Sequence, residues 1–181
     1  LVRYYFKKML GEYPDFEIPN TLEENFKEFL YGLKAKIERE IYAKCSKTQE
    51  QKLFSILDSW KTLESSLGRG SNFYVILHEY KIGSLLPDEP MDVMSFKMKS
   101  STKLNVVVIG LISLPEIIVL SGDEEVYLHE LDPLLRGFVY SGYPAYVGNG
   151  GSFYAEFGAS YTIRLKGKGP FILGIFEVVY Y

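Results

Sequence analysis

The last twenty-one residues, 161–181, constrain the fold of this chain more than any other stretch. Residues 161–166 alternate between apolar and polar side chains, which is the two-residue period of a half-buried β-strand. The Gly-Lys-Gly-Pro sequence at 167–170 supplies a turn, because glycine accepts positive φ and proline fixes its own φ. From Phe171 to Tyr181 the chain is apolar at both parities except at Gly174 and Glu177, as in a strand covered on both faces. We therefore predict a final hairpin with one arm at an exposed edge and one buried arm, which earlier strands must cover.

Helical patterns occupy the first third of the chain. An apolar stripe at helical spacing runs over residues 22–45, behind the capping-box pair Thr21 and Glu24. A second stripe, which includes Trp60, begins at Thr48 and ends before Gly68. Two amphipathic helices with so short a connection predict an antiparallel helical hairpin. Residues 2–10 also show helical spacing.

After residue 71 the spacing of the apolar side chains changes from the helical period to the two-residue period of extended strands. Strand patterns cover 72–82, 94–98, 104–114, 116–120, 126–130 and parts of 138–157, before the final pair. Asp132-Pro133 predicts the start of a short helix that Gly137 can end. Segregated helices and strands predict an α+β protein, with a helical region at 1–70 and a β-rich domain at 71–181. We expect a mainly antiparallel β-sandwich or partly open barrel, against which the helices can pack as one integrated domain.

Composition narrows the class of protein. The net charge of −3 provides no basic field that would draw the chain to nucleic acid or to an anionic membrane. A single cysteine, Cys45, allows no internal disulfide. The longest apolar run, 104–120, contains Pro115 and Glu116, and two strands explain it better than a membrane span. The scarcity of thermolabile Gln and Cys, with few His, favours a thermophilic source. We further expect an archaeal or viral protein with an intracellular or virion location.

An aromatic loop at 140–154 is the first candidate binding site. Tyrosine combined with Gly, Ser and Asn is typical of contact loops, since Tyr offers a large area and a polar tip at small entropic cost. The candidate contact residues are Tyr140, Tyr143, Tyr146, Asn149 and Tyr154. Such a surface suits a protein partner, a second copy of the chain, or a sugar or peptide ligand. The alternative is that Tyr140 and the neighbouring phenylalanines are core positions of two strands around a glycine loop.

The triplet Glu79-Tyr80-Lys81, at the end of an apolar strand, resembles the Glu-x-Lys half-motif of the PD-(D/E)xK nucleases. That resemblance implies a carboxylate, Glu79, that holds a divalent metal, and a lysine, Lys81, that orients the attacking water. The aspartate that the family places on the preceding strand is missing, since the preceding acids, Asp58 and Glu64, lie on a predicted helix. The alternative is a strand whose charges lie at its solvent end.

A metal site and a nucleic-acid surface are two further candidates. Asp123, Glu125 and His129 provide oxygen ligands and one imidazole for a divalent ion, although a solvated turn explains the same residues. The helical hairpin carries a basic set that a nucleic acid could contact, although interspersed acids also fit a solvated face. That set is Lys34, Lys36, Arg39, Lys44 and Lys47.

No convergent set of catalytic residues is evident, and the aromatic residues exceed what the strand cores need. We therefore expect a non-enzymatic binding or assembly protein, a viral or host accessory or structural factor without a cofactor. Its partner would be another protein or a second copy of the chain, contacted through the aromatic loop. The alternatives are a metal-dependent nuclease that uses Glu79 and Lys81, and a nucleic-acid-binding regulator that uses the basic hairpin.

Overall fold

The computed structural model describes residues 20–66, 72–87, 89–140 and 148–180, without the side chains of 20–22 and 64–66. Its helices are α1 (Asn20–Tyr42), α2 (Lys47–Ser66) and α3 (Pro133–Val139). Its strands are β1 (Phe73–Leu85), β2 (Met91–Lys97), β3 (Thr102–Gly110), β4 (Glu116–Ser121), β5 (Glu124–Val126), β6 (Gly148–Ala155), β7 (Ser160–Lys166) and β8 (Gly169–Tyr180). The chain divides into two compact units, residues 1–41 and 42–181. Most of α1 belongs to the first unit, and every other described element belongs to the second.

The strands form two antiparallel four-stranded sheets. Sheet A has the order β1-β8-β3-β6, and sheet B has the order β2-β7-β4-β5. Every strand pair in both sheets is antiparallel, and neither sheet closes into a barrel. The prediction of an α+β protein with antiparallel sheets is therefore confirmed, and the form present is the sandwich.

A buried apolar core fills the space between the two sheets. Sheet B contributes Ile163 and Leu165 of β7, while sheet A contributes Val106 of β3 and Leu173 of β8, and all four are fully buried. On β7 the intervening side chains face away from this core, so that one face of sheet B is apolar and the other is polar. This alternation confirms the half-buried strand predicted for 161–166.

A second core lies on the other face of sheet A, beneath α2 and α3. Trp60 of α2 is completely buried there, with its ring edge-on to Phe176 of β8 at a centroid distance of 5.2 Å. Its indole Nε1 donates a hydrogen bond to the carbonyl oxygen of Val139 at 3.0 Å, which ties α2 to the end of α3. The predicted packing of the N-terminal helices against the sheet is confirmed for α2.

Strand β8 is buried on both faces from Gly169 to Phe176, as the two-parity apolar pattern predicts. The predicted final hairpin is wrong, because β7 pairs with β2 and β4 whereas β8 pairs with β1 and β3. The outer face of sheet B is polar, so a strand with two apolar faces is fully covered only inside sheet A. The short link between them therefore crosses from one sheet to the other, with Gly169 at a φ of 86° that favours glycine.

Two smaller elements also differ from expectation. Strand β5 covers only 124–126 rather than 126–130, and helix α3 passes through Gly137 and ends at Val139. The predicted start of α3 is confirmed, since the Asp132 carboxylate caps it by accepting a hydrogen bond from the Leu134 amide at 3.0 Å.

The helix predicted at 2–10 and the side chain of Thr21 lie outside the described residues. None of the described helices combines the length and apolar composition needed to cross a bilayer.

Candidate functional site

A β-bulge in β1 places two polar side chains on the inner side of sheet A. The pairing with β8 shifts between Leu77, which lies opposite Phe176, and Glu79, which lies opposite Ile175. Phe176 belongs to the core beneath the helices, whereas Ile175 belongs to the core between the sheets. The odd-numbered residues of β1 therefore face the helices up to Leu77 and face sheet B from Glu79 onward. His78 is the extra residue of the bulge, a position at which strands commonly re-aim a side chain.

The bulge lines a partly open cavity of about 220 Å³, which we call the bulge cavity. Strands β1, β2, β3 and β8 and the connection from β2 to β3 contribute to it. Its apolar lining consists of Phe96, Met98, Leu104 and Ile175. Its polar lining consists of His78, Glu79, Lys99, Ser100, Thr102 and Glu177. An apolar floor with a few converging polar groups is the usual composition of a ligand site.

Glu177 is held in place by two neighbours within the bulge cavity. Its Oε2 lies 2.6 Å from His78 Nε2, and its Oε1 accepts a hydrogen bond from the Thr102 hydroxyl at 2.8 Å. An ionised carboxylate can only accept, so Nε2 carries the proton in this pair. Because the two donors come from different strands, β1 and β3, they fix the orientation of the carboxylate on β8 between them. The described residues therefore present one rigid, half-buried carboxylate to the cavity.

Glu79 supplies a second carboxylate to the same cavity. It is exposed at the edge strand, and the described residues give it no hydrogen-bond or ion-pair partner. Lys99 is the one ammonium group in the lining, and it is outnumbered by the carboxylates of Glu79 and Glu177. The cavity is therefore suited to a cationic group on an apolar stem.

Of the two residues predicted for a nuclease, Glu79 and Lys81, only Glu79 lines the bulge cavity. Glu79 shares the bulge cavity with Glu177, whereas Lys81 lies opposite Leu173 and does not line the cavity. The hydroxyl of Thr102 donates to the carboxylate of Glu177 at 2.8 Å and so helps to orient it.

The residues predicted for the aromatic loop have different surroundings. Tyr143 and Tyr146 lie outside the described residues. Tyr154 on β6 is exposed, as a contact residue would be. Asn149 has a structural role, since its side chain donates to the Pro115 carbonyl at 3.1 Å and accepts from the Gly150 amide at 2.9 Å.

Tyr140 packs under the start of β6 rather than toward solvent. Its ring lies against Gly148, where a Cβ would collide with it, and its buried hydroxyl has no partner among the described residues. Burial raises the pKa of this hydroxyl, with a smaller opposing effect from Arg136. Phe153 is likewise a core residue, whereas Phe138 and Phe157 are exposed. The region therefore combines core positions with exposed aromatic side chains.

The three residues predicted for a metal site lie in and around β5. Asp123 lies in the turn between β4 and β5, Glu125 lies on β5, and His129 packs edge-on to Tyr127 at 4.9 Å. Across the described ranges, no three His, Cys, Asp or Glu side chains are grouped as a metal site requires.

The basic residues are spread along two helices and the link between them. Lys34, Lys36 and Arg39 lie on α1, Lys44 lies in the link, and Lys47 begins α2. The Lys34 ammonium lies 3.9 Å from the carboxylate of Glu38, which is an ordinary pair one helical turn apart.

The sequence contains one local signal for the bulge cavity. Glu177 is the single charged residue in the apolar run that became β8, and a charge on a buried strand requires a partner. His78 and Thr102 are those partners, but they lie 99 and 75 residues away in sequence. The bulge that orients His78 leaves no recognisable mark in the sequence.

The fold defines the chain as an α+β protein with two antiparallel sheets, and α2 and α3 pack on sheet A. No protein-family model matches the chain, and no curated protein sequence matches it either.

Proposed function

We propose that this chain is a non-enzymatic binding or assembly protein that holds an alkylammonium or alkylguanidinium group in the bulge cavity. Lysine and arginine side chains of a protein partner and small organic amines share that chemistry. The observation that carries the proposal is the carboxylate of Glu177, held by His78 and Thr102 above an apolar floor. A carboxylate that is already oriented does not have to be ordered when a ligand binds.

The two ends of such a ligand would meet different parts of the cavity. Its methylene groups would lie over Phe96, Met98 and Leu104, with about 0.8 kcal/mol for each CH₂ removed from water. Its cationic head would donate to Glu79 and Glu177, and a hydrogen bond between charged groups contributes about 1.5–3 kcal/mol. After the cost of immobilising the ligand, a small amine is expected to bind with a Kd of about 1 mM.

Three probes of equal chain length test this charge preference: n-butylammonium, which reproduces the lysine side chain, butyrate and 1-butanol. Each is titrated into ¹⁵N-labelled protein while the backbone amide shifts of Glu79, Thr102 and Glu177 are followed. We expect saturable shifts at these amides with n-butylammonium, and binding at least tenfold weaker with the other two. Tighter binding of butyrate, or no probe-dependent shift at these amides, would contradict the proposal.

Two variants connect binding to the cavity. Glu79→Gln keeps the shape of the side chain and removes its charge, so it should weaken n-butylammonium binding by about tenfold. The control Glu125→Gln makes the same change at an exposed position of β5 that does not line the cavity, and it should leave the affinity unchanged. Ser100→Trp at the rim of the cavity should obstruct entry without altering the core.

The aromatic loop would provide a second contact surface for a larger partner. Exposed Tyr154 supports this part of the proposal, and Tyr143 and Tyr146 remain predicted contact residues. If the loop contributes, Tyr143→Ala combined with Tyr146→Ala should weaken capture of a partner protein while leaving n-butylammonium binding intact. This difference separates the contribution of the loop from that of the cavity.

A further inference from the structure

Helix α1 carries a row of exposed apolar side chains along its length. Phe29 and Ile41 are 62% and 61% exposed, and Leu30, Leu33 and Ile37 are each more than 40% exposed. At about 100° per residue these positions fall within an arc of about 120°, which is the width of a core-facing stripe. A stripe of this size is an interaction surface rather than a normal scatter of exposed apolar residues.

We propose that two copies of this chain associate through their α1 helices, packed antiparallel so that each stripe covers the other. The charges along the helix are the reason for choosing a second copy and this direction. Residues 23–31 contain three glutamates and one lysine, whereas residues 33–41 contain two lysines, one arginine and two glutamates. The antiparallel arrangement places the net negative half of each helix beside the net positive half of the other. The opposed helix dipoles favour the same direction.

One edge of the stripe gives a specific cross-pair. Lys27 and Glu38 are eleven residues apart, about three helical turns, so they lie on the same edge. In an antiparallel pair related by a two-fold axis, the same edges of the two helices meet. With the axis between Gly32 and Leu33, near the middle of α1, Lys27 of each copy lies level with Glu38 of the other. The contact is then made twice.

A parallel pair offers no comparable set of opposite-charge contacts. In that arrangement the edge with Lys34 and Glu38 meets the opposite edge of the second helix, which carries Lys36 and Glu40. Lys36 of the second helix would lie two residues from the level of both Lys34 and Glu38, and Glu38 two residues from the level of both Lys36 and Glu40. Attraction and repulsion at this edge therefore offset each other. The antiparallel direction is favoured because it gives a repeated contact between opposite charges.

Sedimentation equilibrium of the full chain provides the first test. We expect a concentration-dependent dimer of twice the 20.7 kDa chain mass. Leu33→Glu should weaken dimerisation by about a hundredfold, because it places a charge at the centre of the interface. Circular dichroism of the same variant verifies that α1 remains helical. A wild-type protein that stays monomeric at several hundred micromolar would overturn the proposal, whether another segment of the chain or a different partner covers the stripe.

Charge exchange tests the direction. Lys27→Glu and Glu38→Lys should each weaken the dimer by roughly tenfold, since each creates two like-charge contacts. The combined variant restores opposite charges and should return the dissociation constant to within about twofold of wild type. Glu28→Lys is the matched control, because it makes the same charge change as Glu38→Lys on the opposite face and should have no effect. A dimer that the double variant does not restore would refute the antiparallel register.

Discussion

Gly174, in the middle of β8, determines how closely α2 can approach sheet A. It lies between Tyr80 of β1 and Val107 of β3, with Trp60 of α2 directly above it. A Cβ added at Gly174 would lie 2.6 Å from Trp60 Cζ3 and 2.9 Å from Phe176 Cε2. Gly174→Ala therefore tests whether the indole ring is seated in the space that the missing side chain leaves.

The expected cost follows from what must move. The indole would have to shift by about 0.8 Å to reach an ordinary contact of 3.4 Å, but its Nε1 is held at 3.0 Å by the Val139 carbonyl. Overpacking of this kind costs about 1–3 kcal/mol, and a weakened buried hydrogen bond adds about 1 kcal/mol. For a chain of 181 residues, each kcal/mol lowers Tm by about 2–4 °C. We therefore expect Gly174→Ala to lower Tm by about 4–16 °C.

Thermal unfolding followed by circular dichroism measures this change, and Gly137→Ala is the control. No atom lies within 4 Å of a Cβ at Gly137 in α3, so alanine there should be neutral or slightly stabilising. A double-mutant cycle with Trp60→Phe adds a second criterion. The smaller ring makes room for the methyl group, so the combined loss should be at least about 0.5 kcal/mol smaller than the sum of the single losses. An unchanged or raised Tm for Gly174→Ala would refute the assignment of Trp60 to this contact.

Two other substitutions test features outside that contact. Tyr140→Phe removes a buried hydroxyl that has no partner among the described residues, so the free energy of unfolding should stay constant or rise by up to about 1 kcal/mol. Because burial raises the pKa of Tyr140 above its usual 10.0, tyrosinate forms first in the unfolded chain, and wild-type stability should fall as pH rises above that value. The Tyr140→Phe variant should lose less stability over this pH range. If the free energy of unfolding, measured by denaturant titration at several pH values, falls equally with pH in both proteins, the hydroxyl is not buried. Gly32→Ala, at an open position within α1, should raise helicity and stabilise α1 by about 0.5–1 kcal/mol, and a loss of helical signal by circular dichroism would oppose this.

Most helices and strands of the fold can be predicted from local sequence patterns. The helices at 20–42 and 47–66 follow from apolar spacing, and the start of α3 follows from Asp132-Pro133, because each signal acts within a few residues. The burial of β8 on both faces follows from its two-parity apolar run. These predictions succeed because the chemistry that determines them is local.

The partner of each strand is not a local property. Strands β7 and β8 are joined by a short turn, and the usual interpretation of such a turn is a hairpin. Their pairing in different sheets depends on which sheet has covers on both faces, and those covers include α2, more than 100 residues earlier in the chain. No periodicity within 160–180 contains that information.

The candidate site was difficult to predict for the same reason. The sequence indicates Glu79 through its spacing to Lys81, whereas the structure places it beside Glu177, because β1 and β8 are adjacent in sheet A. Cys45 also depends on its surroundings in the fold. Lys44 and Lys47 flank it in the sequence, but burial, followed by the nearby Glu50, raises the pKa of its thiol. Its Sγ donates to the carbonyl oxygen of Gly83 at 3.4 Å.

A crystal structure of the protein soaked with n-butylammonium would test the binding proposal most directly. The account predicts difference density for the alkyl chain over Phe96 and Met98, with the nitrogen within about 3 Å of a carboxylate oxygen of Glu79 or Glu177. Density beside Lys99 and away from both carboxylates, or an empty cavity in crystals that bind the amine elsewhere, would contradict it.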